Sequence, residues 1–243
     1  KRNAGSSISD SVMTIGRDEM NLAEFPLAGL ATRPPKGATS LVFEDDVWDK
    51  HGRTRIKRRL TVLPCSEYGL PTASDDEVIL GLVQMTYMAG FADRKLTFIP
   101  AELFRVLGWR SGGREYARLK KSLRRWVGVT LYYENAWRDN EHKTWMDEHF
   151  HLLDNVVIPR DRKRRGKKTR YGRRSPLTIV WNETIFKSFQ DGYVRHLDMS
   201  ILRQLKKPAA KRMYRFLDKR LYKTNRLTFD LRSFACERIG FSR

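Results

Sequence analysis

Apolar and polar residues alternate in strand-like runs and then recur at helical spacing, a pattern that predicts an α+β fold. The runs at 40–47 ("SLVFEDDV") and 55–63 ("RIKRRLTVL") predict a β-hairpin. The segment 74–77 ("SDDE") has the form of a capping box, a hydroxyl followed three residues later by a carboxylate. Apolar residues then follow every three or four positions, so we expect a helix that ends near Gly90.

The elements that follow have the order of a winged helix. A short helix is predicted to begin at Pro100, which suits the first helical position, and to stop at Gly108. A third helix is predicted over 113–127, and strand-like segments follow over 129–134 and 144–154. Three helices and two strands with short connections indicate a helix-turn-helix with a β-wing, against which the earlier hairpin would pack.

The second half of the chain repeats part of this order. The segments "SPLTIVWN", "ETIFKSFQ" and 208–222 predict a strand, a short helix begun by Asn182, and a longer helix. The phrase "LTF" at 96–98 returns at 227–229, and "GW" at 108–109 corresponds to Gly240 and Phe241 after one insertion. We therefore expect two winged-helix domains in tandem, the second lacking its recognition helix in this fragment.

These patterns predict four regions. We expect a flexible N-terminal segment over 1–37, a first winged-helix domain over 38–159, a basic linker over 160–175 and a truncated second winged-helix domain over 176–243. The chain begins with Lys1 rather than a methionine, which we interpret as a piece of a longer protein.

The net charge of +20 and a pI near 10.2 point to an anionic partner. Nucleic acid is the first candidate and an acidic membrane surface the second. No run of eighteen apolar residues exists, so no membrane span is predicted. The two cysteines, Cys65 and Cys236, lack metal-ligand spacing and fit a reducing cytoplasm, so we predict a cytoplasmic protein without metal or other cofactor.

The predicted helix over 113–127 is the strongest candidate for contact with DNA. At 100° per residue, Tyr116, Leu119, Leu123 and Trp126 share one face, and basic residues occupy the opposite side. The candidate DNA contacts on this helix are Arg114, Arg118, Lys120, Lys121, Arg124 and Arg125. A merely solvated face usually mixes charges of both signs, whereas this one has Glu115 as its only acid.

Two further sets of cations are candidate DNA contacts. Arg138 and Lys143 lie at the predicted tip of the wing, although Asp139 and Glu141 lie there too. The basic run 160–174 contributes a third set: Arg162, Lys163, Arg164, Arg165, Lys167, Lys168 and Arg170. This run would bind phosphates without sequence preference. Alternatively, it is a flexible linker whose charge only aids solubility.

Several phrases together resemble the plasmid replication initiator protein A family. They are "YGLPTA", "LTFIPAELFRVLGW", "GGREYARLKKSLRRWVGVTLYY", "FKSFQDGYVRHLD" and "LKKPAAKRMYRFLDKRLY", spread over 39–241 except for the basic run. The resemblance implies a bacterial, plasmid- or phage-borne protein with tandem winged-helix domains that recognises repeated double-stranded DNA sites in a replication origin. It also implies host replication proteins, a helicase or an initiator, as partners. A homodimer is an open alternative.

Three other functions compete with a non-enzymatic initiator. A transcriptional repressor would use the same DNA-binding surface. A metal-dependent rolling-circle nickase would use His149 and His151, which share a strand face, with Tyr214 or Tyr222 as nucleophile. An RNA-binding protein is the least favoured, because the sequence shows no aromatic stacking platform. The sequence alone does not separate an initiator from a repressor.

Overall fold

The computed structural model describes residues 15–31, 37–48, 53–159, 175–222 and 224–242. In chain order the elements are β1 (Ile15–Glu19), β2 (Leu41–Trp48), β3 (Arg55–Leu63), α1 (Ala73–Met88), β4 (Lys95–Phe98), α2 (Pro100–Leu107), α3 (Gly113–Gly128), β5 (Thr130–Asp139), β6 (Thr144–His151), β7 (Leu153–Val157), β8 (Leu177–Trp181), α4 (Glu183–Gln190), β9 (Val194–Asp198), α5 (Met199–Gln204), α6 (Pro208–Arg220), α7 (Leu231–Ser233) and a π-helical segment (Phe234–Ile239).

Local capping signals set the ends of the helices. The N-cap of α1 is Thr72, two residues before the predicted capping box, and its amide and hydroxyl donate to Oδ2 of Asp75 at 2.7 and 2.6 Å. Helix α2 begins at Pro100 and is capped at its C-terminus by Gly108, whose φ of 69° lies in the left-handed region that glycine tolerates best. Asn182 caps α4 by accepting from the amide of Thr184 at 3.0 Å.

The hairpin and the wing form one sheet. Strands β2, β3, β5 and β6 are antiparallel neighbours in that order, because β3 pairs with β5 over 59–63 and 130–134. The predicted hairpin at 40–63 therefore widens the wing rather than packing on a separate face. A second, three-stranded sheet has the order β4-β8-β7, and β1 pairs with β9.

The basic run does not separate two hydrophobic cores. Strand β8 lies after it in the chain, yet pairs with β4 and β7, which lie before it. Trp181 and Phe189 are buried in the same core as Leu119 and Trp126. The predicted boundary at 160–175 therefore differs from the structure, because strand pairing between β4 and β8 is a non-local contact that local patterns do not encode.

The N-terminal segment is partly a structural element, which corrects the prediction of a flexible stretch over 1–37. Residues 15–19 form β1, and Leu22, Phe25 and Leu27 are buried in the main core. These apolar side chains remove surface from water and so hold the segment in place. Residues 1–14 and 32–36 lie outside the part of the chain that the structure describes.

The repeated phrase "LTF" has different structures in its two positions. Residues 96–98 lie in β4, whereas 227–229 belong to no strand, and the ring of Phe229 stacks on Phe234 at 5.1 Å. The two segments end alike, because Gly240 after the π-helical segment is left-handed, as Gly108 is after α2. The difference follows from pairing, since β8 is the partner of β4 and 227–229 pair with no described strand.

A buried ion cluster joins the N-terminal segment, the hairpin and the C-terminal helices. We call it the Glu24 cluster, and its members are Glu24, Asp45, Arg58, Lys219, Arg220 and Arg238. Glu24 accepts from Arg58 at 2.8 Å and from Arg238 at 3.1 Å, and its carboxylate lies 2.5 Å from the ammonium of Lys219. Burial alone raises the pKa of Glu24, but the four surrounding cations lower that pKa well below its ordinary value.

Helix α6 is also anchored by a second buried ion pair. The guanidinium of Arg215 donates to both carboxylate oxygens of Asp18, at 2.7 and 2.9 Å, and to Asp76 at 2.7 Å. Asp18 lies in β1 and Asp76 in α1, so one side chain of α6 connects three elements. Arg215 is 3% exposed, which makes this a buried pair whose separation would leave unpaired charge in the interior.

We predict that Glu24→Gln destabilises the fold by about 3–5 kcal/mol, because it leaves several buried cations without their anion. Denaturant unfolding of the parent and the variant measures this difference. The matched control is Glu141→Gln, which removes a carboxylate from a surface pair with Lys187 and should leave stability almost unchanged. Equal loss of stability in both variants would contradict a special role for the cluster.

Glu19 offers a pH-dependent test of the same region. Its carboxylate accepts from the amide of Leu22 at 2.7 Å, the hydroxyl of Ser188 at 2.7 Å and the amide group of Asn21 at 3.1 Å. Burial nevertheless raises the pKa of Glu19 to about 7.

Between its unfolded pKa and about 7, folded Glu19 holds a proton that the unfolded chain has released, so its contribution to stability falls as pH rises. We predict that the parent loses about 1 kcal/mol per pH unit, averaged between pH 5 and 7, relative to Glu19→Gln. Unfolding of both proteins at several pH values measures the difference. A difference that does not change with pH would show that Glu19 is ionised throughout.

Candidate nucleic-acid interface

Helix α3 has the two-sided character that the sequence predicts. It spans Gly113–Gly128, and its apolar side is fully inserted in the core: Leu119, Leu123 and Trp126 are all 0% exposed. Tyr116 belongs to the same side and is also buried. The helix is therefore held by burial of large apolar surface, which fixes the direction in which its other side points.

The last turn of α3 is fastened to the start of α1. Asp75 forms an ion pair with Arg125 and, through its backbone carbonyl, accepts from the indole of Trp126 at 2.9 Å. The Nε of Arg125 also donates to the carbonyl of Tyr68 at 2.9 Å. Because Asp75 also caps α1, one carboxylate orients both helices.

Arg125 is therefore not a DNA contact, which corrects the prediction from helical periodicity. It is 4% exposed, although its angular position lies among the cations of the helix. The reason is that residues 65–75 cover the end of α3. The approach is so close that a Cβ at Gly128 would lie 2.7 Å from the Cβ of Cys65.

The remaining basic residues of α3 point outward. The exposed members are Arg114, Arg118, Lys121 and Arg124, and Lys120 is half-buried with its ammonium 4.5 Å from the centre of the Tyr116 ring. Within the described residues none of these five forms a salt bridge, whereas the buried cations of the Glu24 cluster all do. The exposed cations span an arc of about 120° on the helix. We call these five residues the α3 cationic face.

Trp109, in the turn between α2 and α3, positions part of this face. The guanidinium of Arg118 lies 4.1 Å from the centre of the Trp109 ring. The indole nitrogen of Trp109 donates to Glu77 at 3.1 Å. The ring also stacks against Phe104 at 6.1 Å. No sequence pattern predicted a role for Trp109, although an aromatic residue directly after the predicted end of α2 at Gly108 could have indicated one.

The predicted wing-tip contacts lie apart from α3. Arg138 is half-buried, exchanges hydrogen bonds with the side chain of Asn21 through its backbone, and holds its guanidinium 5.5 Å from the ring centre of Trp145. Lys143 is exposed and donates to Asn140 at 2.9 Å. Strand β5 has ten residues, so the tip lies about 30 Å along the strand from the end of α3.

The wing tip is also attached to α4. Asn140 donates to the carbonyl of Asp191 at 2.8 Å, and Glu141 pairs with Lys187 at 2.7 Å. The tip is therefore partly engaged within the protein itself. The third predicted set, Arg162, Lys163, Arg164, Arg165, Lys167, Lys168 and Arg170, lies outside the described residues and stays a prediction.

The residues of the competing nickase hypothesis have other contacts within the protein. The ring of His149 packs on Tyr132 at 4.6 Å, and Nδ1 of His151 lies 3.0 Å from the carbonyl of Val129. The hydroxyl of Tyr214 accepts from the amide of Asp198 at 3.2 Å. In the described part of the chain, the one group of three potential metal ligands is Asp139, Glu141 and His142, and it includes neither His149 nor His151.

Among the described helices, none combines the length and apolar character needed to cross a membrane.

Comparison with known proteins gives one family and one fold. The family model of replication initiator protein A matches residues 17–235. A solved structure of domains 2 and 3 of RctB is similar with a TM-score of 0.55 and 13% identity, over 84% of this chain and 71% of that one. A second structure of RctB domains 2–3 has a TM-score of 0.50 and 12% identity, over 78% and 67% of the two chains. No curated protein matches the sequence. At these identities the likeness to RctB shows the fold alone.

We predict that Arg125→Ala lowers the stability of the fold by about 3–5 kcal/mol, because Asp75 would remain buried without its cation. The matched control on the same helix is Arg118→Ala, which removes an exposed guanidinium and should unfold at the denaturant concentration of the parent. Urea unfolding compares the three proteins. If Arg125→Ala were as stable as Arg118→Ala, the clamp between α3 and α1 would be energetically unimportant.

Proposed function

This chain belongs to the replication initiator protein A family, and on that premise we propose that it binds repeated double-stranded DNA sites in a replication origin, with α3 as the recognition helix. The observation that carries the proposal is the α3 cationic face. It consists of basic side chains without ion-pair partners among the described residues, on a helix whose other side is buried.

The chemistry of this face suits the major groove of DNA. The groove admits an α-helix, and arginine can donate two hydrogen bonds to O6 and N7 of guanine. Arg114, Arg118 and Arg124 are exposed arginines, and Lys121 adds a charge that can meet a phosphate. The ion pair between Arg125 and Asp75 keeps the helix in place, so the contacts need little reorganisation on binding.

A tandem winged-helix arrangement is part of the proposal. The first half of the chain has the order α1, β4 and α2. The second half has the corresponding order of α6, residues 227–229 and the helical segment that is followed by Gly240. The likeness to domains 2 and 3 of RctB supports a fold that extends beyond one winged-helix unit. We propose that the second unit begins at α6, and that α4 and β8 belong to the first unit, whose core they share.

Other parts of the proposed role depend on charge and on the family. The run 160–174 would add phosphate contacts without sequence preference. We propose a non-enzymatic role in the cytoplasm, in which the bound protein recruits host replication proteins to the origin. Arg138 and Lys143 would contribute only if the DNA extended along β5 to the wing tip.

Selection of duplexes from random DNA tests sequence-specific binding. We predict that the protein enriches a repeated motif and that Arg118→Ala weakens binding to that motif by roughly tenfold to a hundredfold, while random DNA is affected less. The matched control is Arg55→Ala, since Arg55 on β3 is another exposed arginine over an indole, 5.1 Å from the ring centre of Trp48 on β2. Enrichment of no motif, or equal losses in both variants, would overturn the proposal.

Replication of a plasmid that carries the selected motif separates an initiator from a repressor. With the protein supplied in trans, the proposal requires replication that depends on the motif and is impaired by Arg118→Ala. Transcriptional repression without any effect on replication would instead identify the alternative function of the same surface.

A further inference from the structure

Helix α5 packs beside the helix-turn-helix, although it lies about a hundred residues later in the chain. Leu202 and Met199 of α5 are buried with Val106 of α2 and Leu80 of α1 in a second, small hydrophobic cluster. This contact places the end of α5, and the residues that follow it, next to the turn between α2 and α3.

Arg203 lies across that turn. Its guanidinium donates to the carbonyl of Val106 at 3.5 Å, and its aliphatic stem lies so close to Gly108 that a Cβ there would be 3.0 Å from Cδ of Arg203. The stem thus lies against the left-handed glycine, and Arg203 as a whole is half-exposed at the edge of the turn.

Trp109 connects the same turn to α3 and α6. The guanidinium of Arg118, in the α3 cationic face, packs over the Trp109 ring, and the indole nitrogen of Trp109 donates to Glu77. The other carboxylate oxygen of Glu77 lies 2.9 Å from the ammonium of Lys211 in α6. The first turn of α6 and the α3 cationic face are therefore joined through two side chains.

The segment that reaches this position is strongly basic. Residues 203–211 read "RQLKKPAAK" and contain no acid, and Lys206 and Lys207 are both exposed. In the part of the chain that the structure describes, neither lysine forms a salt bridge. Arg110, on the turn itself, is exposed as well.

We propose that Lys206 and Lys207, with Arg203, form a second DNA-contacting surface that binds backbone phosphates next to the site read by α3. The inference rests on the proposed function and deepens it, because it assigns a contact to a segment that no sequence pattern connected with α3. Lysine is a flexible point charge, which suits contact with phosphate more than readout of a base. Such contacts set the position of the protein on the duplex and release counterions.

The double variant Lys206→Ala/Lys207→Ala in the full chain tests this surface. If each lysine neutralises one phosphate, the slope of log affinity against log salt becomes shallower by about 1.8, and affinity falls by the same factor for the selected motif and for random duplex. Ethylation interference should lose its signal at phosphates that flank the α3 contacts. Both lysines are exposed, so the folded state should be retained.

The matched control is Lys57→Ala/Lys187→Ala, which removes the same charge from β3 and α4. It should keep the parent's salt slope and ethylation pattern. The inference would be overturned if Lys206→Ala/Lys207→Ala kept the parent's slope of log affinity against log salt, or if the control changed that slope equally. An unchanged slope in Lys206→Ala/Lys207→Ala would leave an acidic protein as the partner of this surface. Failure of the parent to bind any duplex selectively would instead overturn the proposed function.

Discussion

The fold depends on one buried carboxylate that holds four cations from distant parts of the chain. Glu24 lies in the N-terminal segment, and its partners come from β3, α6 and the π-helical segment. Isolated ions cost much free energy to bury, so these groups are tolerated only while all of them are assembled. Asp45 completes the set from β2. The cluster therefore joins the C-terminal helices to the sheet. It forms only when the N-terminal segment, the hairpin and the C-terminal helices are all folded together.

The buried ion pairs also change how the net charge of +20 is interpreted. Several basic residues are internal, including Arg58, Arg125 and Arg215, and each is paired with carboxylates. The positive charge available to a partner is carried by the residues that remain exposed and unpaired. Composition predicts an anionic partner, but the location of the proposed interface follows only from which cations the fold leaves outside.

Local signals predicted the elements, and non-local contacts account for what was missed. Pro100 with Gly108, and the cap at Asn182, involve residues close in sequence, so α2 and α4 have the predicted positions. The pairing of β4 with β8 and the burial of Leu22, Phe25 and Leu27 depend on partners far along the chain, which periodicity does not report. Arg125 was misplaced for the same reason. A prediction from the angle of a residue around the helix takes no account of the separate segment that covers the end of α3.

The two classes of cation respond differently to salt, and this separates binding from stability. The proposed contacts between a duplex and the α3 cationic face would weaken steeply as salt rises, because binding releases counterions that added salt returns to the phosphates. Buried pairs are screened much less, since their partners lie in direct contact away from solvent. Salt that dissociates DNA should therefore leave the Glu24 cluster and the ion pair between Arg125 and Asp75 intact. The protein that leaves the duplex would then still hold α3 in the orientation needed to bind again.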